Sequence, residues 1–136
     1  MNTLNTQPPP SVAVIGSGYW GRNLVRNFNN LKALSVICDS DKAVLKQFAE
    51  QYPDVETELV FEKALQREDV QGVVIATPAE THYLLARDAL VAGKHVYVEK
   101  PLVLKEREGR ELIALAEQKN LVLMVGHLLQ YHPIFV

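Results

Sequence analysis

At 136 residues, 48% of them hydrophobic and 22% charged, the chain can bury a core and has the balance of one ordinary globular domain. A formal net charge of −2 gives no electrostatic basis for holding nucleic acid or an anionic membrane surface. The single cysteine, Cys38, can form no internal disulfide, and its apolar surroundings mark a small core residue of a reducing, cytoplasmic setting.

Residues 1–11 have neither a cationic start nor an apolar run, so no secretory signal is expected, and Pro8, Pro9 and Pro10 make a stiff extended lead-in. No segment reaches the length of a membrane span. From residue 12 to 136 strands and helices alternate as one domain, without a repeat or a linker. Val12 to Ile15 is an apolar strand that runs into Gly16-Ser17-Gly18-Tyr19-Trp20-Gly21, then a helix over Asn23 to Leu31 with Leu24, Val25, Phe28 and Leu31 on one face. A second strand, Leu34 to Cys38, ends at Asp39 and Ser40. Asp41 precedes a helix whose Val44, Leu45, Phe48, Ala49 and Tyr52 form a sheet-facing stripe, closed by Pro53. Leu59 to Phe61 is expected as a short third strand and Glu62 to Arg67 as a short helix.

Gly72 to Ala76 is an unbroken apolar run, the pattern of a parallel strand covered on both faces, and it ends at Thr77-Pro78. The next helix, Glu80 to Ala92, presents Leu84, Leu85, Ala89 and Leu90 inward and stops at Gly93. His95 to Val98 forms a fifth strand leading to Glu99-Lys100-Pro101. A helix over Glu106 to Lys119 and a sixth strand over Leu121 to Val125 follow. The close runs from Gly126-His127 to Tyr131-His132-Pro133. Strands spaced by helices of this length need right-handed crossovers, which predicts an α/β, doubly wound parallel sheet of the Rossmann type in the order 3-2-1-4-5-6.

The first turn carries chemistry. A diphosphate needs donors at close range, and the start of a helix offers unpaired N–H groups and the positive end of its dipole. In the G-x-G-x-x-G pattern Gly16 permits the sharp turn, Gly18 lets backbone approach the pyrophosphate, and Gly21 lets the helix lie close to the sheet. A bare glycine turn is weak evidence; a strand before it, a helix after it and an acid about twenty residues on make a dinucleotide site. Asp39, with Ser40 beside it, stands where adenosine ribose hydroxyls lie in such a site, although a strand-end turn residue would look the same. The predicted strand order brings the glycine turn, Asp39, Thr77-Pro78 and Glu99-Lys100-Pro101 to one rim.

The glycine turn with Tyr19-Trp20, then Ala76-Thr77-Pro78-Ala79-Glu80-Thr81-His82, then Ala92-Gly93-Lys94-His95-Val96-Tyr97-Val98-Glu99-Lys100-Pro101, resembles the Gfo/Idh/MocA oxidoreductases from Val12 to the end of the chain. The ending, Gly126-His127 to Tyr131-His132-Pro133, resembles the subgroup that acts on nucleotide-linked sugars, such as the UDP-N-acetylglucosamine 3-dehydrogenases. The resemblance implies NAD as cofactor, contacted by Gly16, Gly18, Tyr19, Trp20, Gly21, Asp39, Ser40, Ala76, Thr77, Pro78, His82, Glu99 and Lys100. Lys100 would sit at the nicotinamide and hydrogen-bond the hydroxyl being oxidised, as the catalytic residue. Glu99 would hold the nicotinamide ribose, Thr77 and Pro78 would line the cofactor channel, and His82 would lie beneath it or serve as a first-turn residue bonded to backbone. His127, Tyr131 and His132 would contact a sugar or nucleotide-sugar, or serve as helix-start residues. No histidine pair has metal-ligand spacing, so no metal is expected.

Two departures from the family pattern stand out. Members carry a second α/β domain with the substrate pocket and usually a histidine proton acceptor; this sequence offers no stretch for one, and the helix starting at Pro133 is cut after four residues. A fragment or truncated product is expected, binding cofactor without turnover. Lys105 stands where a serine or threonine cap is favoured, at a cost of about 1 kcal/mol. The two readings are the cofactor half of a sugar dehydrogenase and a stand-alone dinucleotide-binding module for redox sensing or subunit pairing. The ammonium of Lys100 favours the first. Self-association is expected, as a dimer through the C-terminal region around Leu128, Leu129, Tyr131, Ile134 and Phe135.

Overall fold

The computed structural model describes residues 11–16 and 19–126; the side chains of Tyr19 and Trp20 fall outside the description. The proline lead-in, Gly18, His127, Tyr131, His132 and the apolar C-terminal residues therefore lie outside the described residues.

Six parallel strands form one sheet in the order β3-β2-β1-β4-β5-β6, as the alternation of apolar runs and helical stripes predicts. They are β1 (Val12–Ile15), β2 (Leu34–Cys38), β3 (Glu56–Glu58), β4 (Gly72–Ile75), β5 (His95–Glu99) and β6 (Leu123–Gly126). The helices are α1 (Tyr19–Asn30), α2 (Lys42–Gln51), α3 (Phe61–Leu65), α4 (His82–Val91) and α5 (Glu106–Gln118), with a 3₁₀ turn, Ala79–Thr81, ahead of α4. The sheet splits the core in two. Val14, Ile37 and Val74 point to α1 and α2, where they meet Val25, Leu45 and Phe48. Ala13, Ile15, Val36, Val73, Ile75, Val96 and Val98 point the other way, to Leu65, Ala86, Leu90 and Leu112 of α3, α4 and α5. This alternation follows from the period of two along each strand, and burial on both faces explains why β1 and β4 read as continuous apolar runs.

Several boundaries move. β3 is not Leu59 to Phe61 but the polar Glu56–Glu58, paired with Val36, Ile37 and Cys38. An edge strand has one neighbour and needs no apolar side chains of its own, and its charges discourage pairing with another chain. Leu59 and Val60 then turn outward, and Phe61 opens α3 against the core. β6 begins two residues later than its apolar pattern suggested. α1 begins earlier and ends before Leu31, which is 70% exposed. There the chain leaves the helix through Lys32 at φ 59, with the Ala33 amide donating to the Phe28 carbonyl and that of Lys32 to Asn29. That reversal throws Leu31 out of the stripe. Ala49 and Leu84 also face solvent.

Helix ends elsewhere match the sequence. Asp41 caps α2, its carboxylate accepting from the Ala43 amide at 2.9 Å. Gly93, at φ 81, closes α4 with Lys94 N–H donating to the Ala89 carbonyl. Lys105 starts α5 with no side-chain cap bond.

Candidate cofactor site

Each strand that feeds the carboxyl rim passes its ladder one residue beyond its end. The Gly16 amide donates to the Cys38 carbonyl at 2.8 Å, Ala76 to Ile15 at 2.8 Å, Asp39 to Glu58 at 3.1 Å and Lys100 to Gly126 at 3.3 Å. Asp39, Gly16, Ala76-Thr77 and Glu99-Lys100 are thereby fixed in that order across β2, β1, β4 and β5. Ordinary strand spacing puts about 14 Å between the first and last of these, enough for two nucleosides joined through a diphosphate.

Beside that line the backbone forms a cradle. Gly16 sits at φ 82, and a Cβ there would come within 2.8 Å of the Thr77 methyl. A Cβ on Gly21 would overlap the Gly16 carbonyl oxygen. Both glycines are therefore compulsory, one for its conformation and one for the approach of α1 to β1. The N-terminal turn of α1 opens over the rim, where its first amides lack intrahelical acceptors. The cradle fits a diphosphate.

Asp39 is half-buried, and its Oδ1 accepts from the Asp41 amide at 2.8 Å, the bond of a strand-end turn. Ser40 beside it is exposed. Cys38, immediately below, is buried; burial first, and then the carboxylates of Glu58, Asp39 and Glu62, push its thiol up to about 12. It is a neutral core side chain. On the β4 loop the Thr77 hydroxyl lies 2.6 Å from that of Thr81, which donates to the Pro78 carbonyl at 2.6 Å, so Thr77 and Pro78 are held by the turn that starts α4. Pro78 is exposed at the rim.

At β5, Glu99 is half-buried and Lys100 exposed, and the Lys100–Pro101 bond is cis. The Tyr97 hydroxyl lies 3.5 Å from Glu99 Oε1, and both pass over Gly126, where any Cβ would strike the tyrosine hydroxyl. The motif reading assigned Tyr97 and Gly126 no role, because one glycine and one tyrosine on different strands leave no local signal. His82 lies lower. It is 2% exposed and both ring nitrogens reach backbone carbonyls, so of the two roles open to it the structure gives the backbone-bonded one.

Lys94 was also invisible in function. Its ammonium is buried and donates to the carbonyls of Arg67 at 2.7 Å and Val70 at 2.6 Å, closing the loop between α3 and β4. In the same loop Arg67 pairs with Glu56 and Asp69, and the guanidinium bond holds the Asp69 carboxyl below its usual range. His95, next to Lys94, accepts from the Val122 amide at 3.0 Å through Nδ1. The Gly93-Lys94-His95 stretch is thus held in main-chain bonds at the opposite end of β5 from Glu99.

Residues 11–127 match the family model described as an oxidoreductase family with an NAD-binding Rossmann fold, Gfo/Idh/MocA. The chain belongs to that family. Among curated Gfo/Idh/MocA-like relatives, a UDP-N-acetylglucosamine 3-dehydrogenase of Acidithiobacillus ferrooxidans is 31% identical over 125 residues, covering 88% of this chain and 37% of that protein. A glycosyl hydrolase family 109 protein of Shewanella sp. (strain ANA-3) is 36% identical over 126 residues, covering 83% of this chain and 28% of the relative. The crystal structure of GenD2 from gentamicin A biosynthesis, in complex with NAD, superposes with a TM-score of 0.87 at 30% identity, covering 98% of this chain and 38% of that one. This Gfo/Idh/MocA chain therefore spans about a third of the length of the relatives it matches.

Proposed function

We propose that the chain binds NAD across the carboxyl rim and forms the cofactor half of a dehydrogenase acting on a secondary alcohol of a sugar or nucleotide-sugar. The observation that carries this reading is the ladder-fixed line of Asp39, Gly16, Thr77 and Glu99-Lys100 beside a cradle with no room for a Cβ at Gly16 or Gly21. Its support in the relatives is the 3-dehydrogenase and the NAD complex of GenD2.

In this reading Asp39 accepts ribose hydroxyls, Gly16 and the start of α1 receive the diphosphate, and Glu99 holds the second ribose. Bound NAD supplies the acceptor for a hydride. Lys100, exposed at the end of β5, offers an ammonium to the oxygen from whose carbon the hydride leaves, lowering the cost of negative charge there. His127, Tyr131 and His132 are assigned to the substrate's side. A module that only binds dinucleotide has no need of that ammonium.

Calorimetric titration with NAD, NADP and their reduced forms tests the reading. Saturable binding of NAD, weakened in Asp39→Ala with the fold retained by circular dichroism, is expected. Absence of binding by the folded parent overturns it. We also infer that the chain self-associates through the region around β6.

A further inference from the structure

His82 stands between the two loops that carry the rim. Its Nδ1 is 2.6 Å from the Pro101 carbonyl oxygen and its Nε2 is 2.8 Å from the Thr77 carbonyl oxygen. Both partners are main-chain carbonyls, one from each loop, and the ring that reaches them is 2% exposed, so no water stands in for it when it is lost.

The position of the ring gives those bonds a task. β4 and β5 pair from Gly72 with His95 to Ile75 with Val98, and beyond that register the two chains part. Thr77 then begins the turn into α4, and Lys100-Pro101 begins the approach to α5. Across that gap His82, in the first turn of α4, bonds to both sides. We propose that His82 is a positioning residue whose ring, by reaching the Pro101 and Thr77 carbonyls, locks the β4 and β5 loops into one rim. For its effect on NAD this rests on the reading above; for its geometry it does not. The ring acts through the two loops it joins. It sets where Thr77, Glu99 and Lys100 stand.

Nitrogen-15 amide spectra of the cofactor-free chain are the direct test. His82→Phe keeps the ring's bulk and removes both nitrogens. Its amide resonances at Thr77, Glu99 and Lys100 should shift while those of β3 stay, and NAD affinity should fall by about tenfold, with His82→Gln recovering part through its one amide group. Unmoved rim amides, or NAD affinity equal to a binding parent, would overturn it. Should the parent bind no NAD, the functional reading fails alone, since the rim amides decide the clamp without a ligand. If His82→Phe does not fold, His82→Gln carries both measurements, with a smaller loss expected.

Discussion

Lys94 places an ammonium in the core because two carbonyls, from Arg67 and Val70, need donors where water does not reach. Lys94→Met keeps the stem and strands both acceptors, which should cost about 1–3 kcal/mol in a urea melt. A variant as stable as the parent would show that the loop holds without it. In the proposed reading Asp39 works by charge as well as by its turn bond. A carboxylate beside the ribose repels a 2′-phosphate, so NAD should bind at least about tenfold, or 1.4 kcal/mol, tighter than NADP, and Asp39→Ala should weaken NAD and narrow that gap. Equal binding of the two dinucleotides by the parent refutes the assignment. Cys38 gives a dependence on pH of known sign. The thiol ionises near 9.0 once unfolded but only at about 12 when buried, so its contribution to stability is complete below pH 9 and is lost as pH rises through that window. Melts on either side of pH 9 should show the parent losing more stability than Cys38→Ala, and the folded thiol should resist alkylation at neutral pH.

Three helices end in the same way but with different residues in the left-handed position. Lys32 closes α1, Gly93 closes α4 and Asn120 closes α5, each followed by an amide that reaches back to the last turn. Glycine and asparagine tolerate that conformation and are legible as stop signals; lysine is not, so the end of α1 was placed one residue late. Gly93→Ala meets no neighbouring atom, hence its cost is conformational alone, about 1 kcal/mol. Lys32→Gly should gain a similar fraction. Thermal melts of the two variants should move in opposite directions; movement in the same direction would mean that the reversals do not control these ends.

The molecule is asymmetric in its covering. α3, α4 and α5 lie on one face and α1 and α2 on the other, where Val74 of β4 and Tyr97 of β5 still meet the core but among the described residues none of β6 joins it. The result is an apolar depression of about 210 Å³ lined by Val12, Phe28, Val74, Tyr97, Val122 and Met124. Val122 and Met124 are about half exposed, and β6 is the last strand of the sheet among the described residues. Open backbone and apolar surface together favour another copy of the chain, because burying each large side chain gives roughly 1.5–3 kcal/mol. Light scattering at micromolar concentration should find a dimer, and Met124→Asp should dissociate it. A monomeric parent would refute self-association.

The sequence by itself determined the order of elements, the class of sheet and most of the rim, because each rests on a local signal: apolar runs for buried strands, Gly16 for a turn, Asp41 and Gly93 for helix ends, Glu99-Lys100 at a strand terminus. It misplaced β3, since a polar edge strand is defined by its pairing with β2 and not by its own side chains. Tertiary structure alone decided what His82 and Lys94 do. Their partners are main-chain carbonyls at Thr77, Pro101, Arg67 and Val70, and every residue offers that same group, so no choice of amino acid records which one a distant side chain will meet.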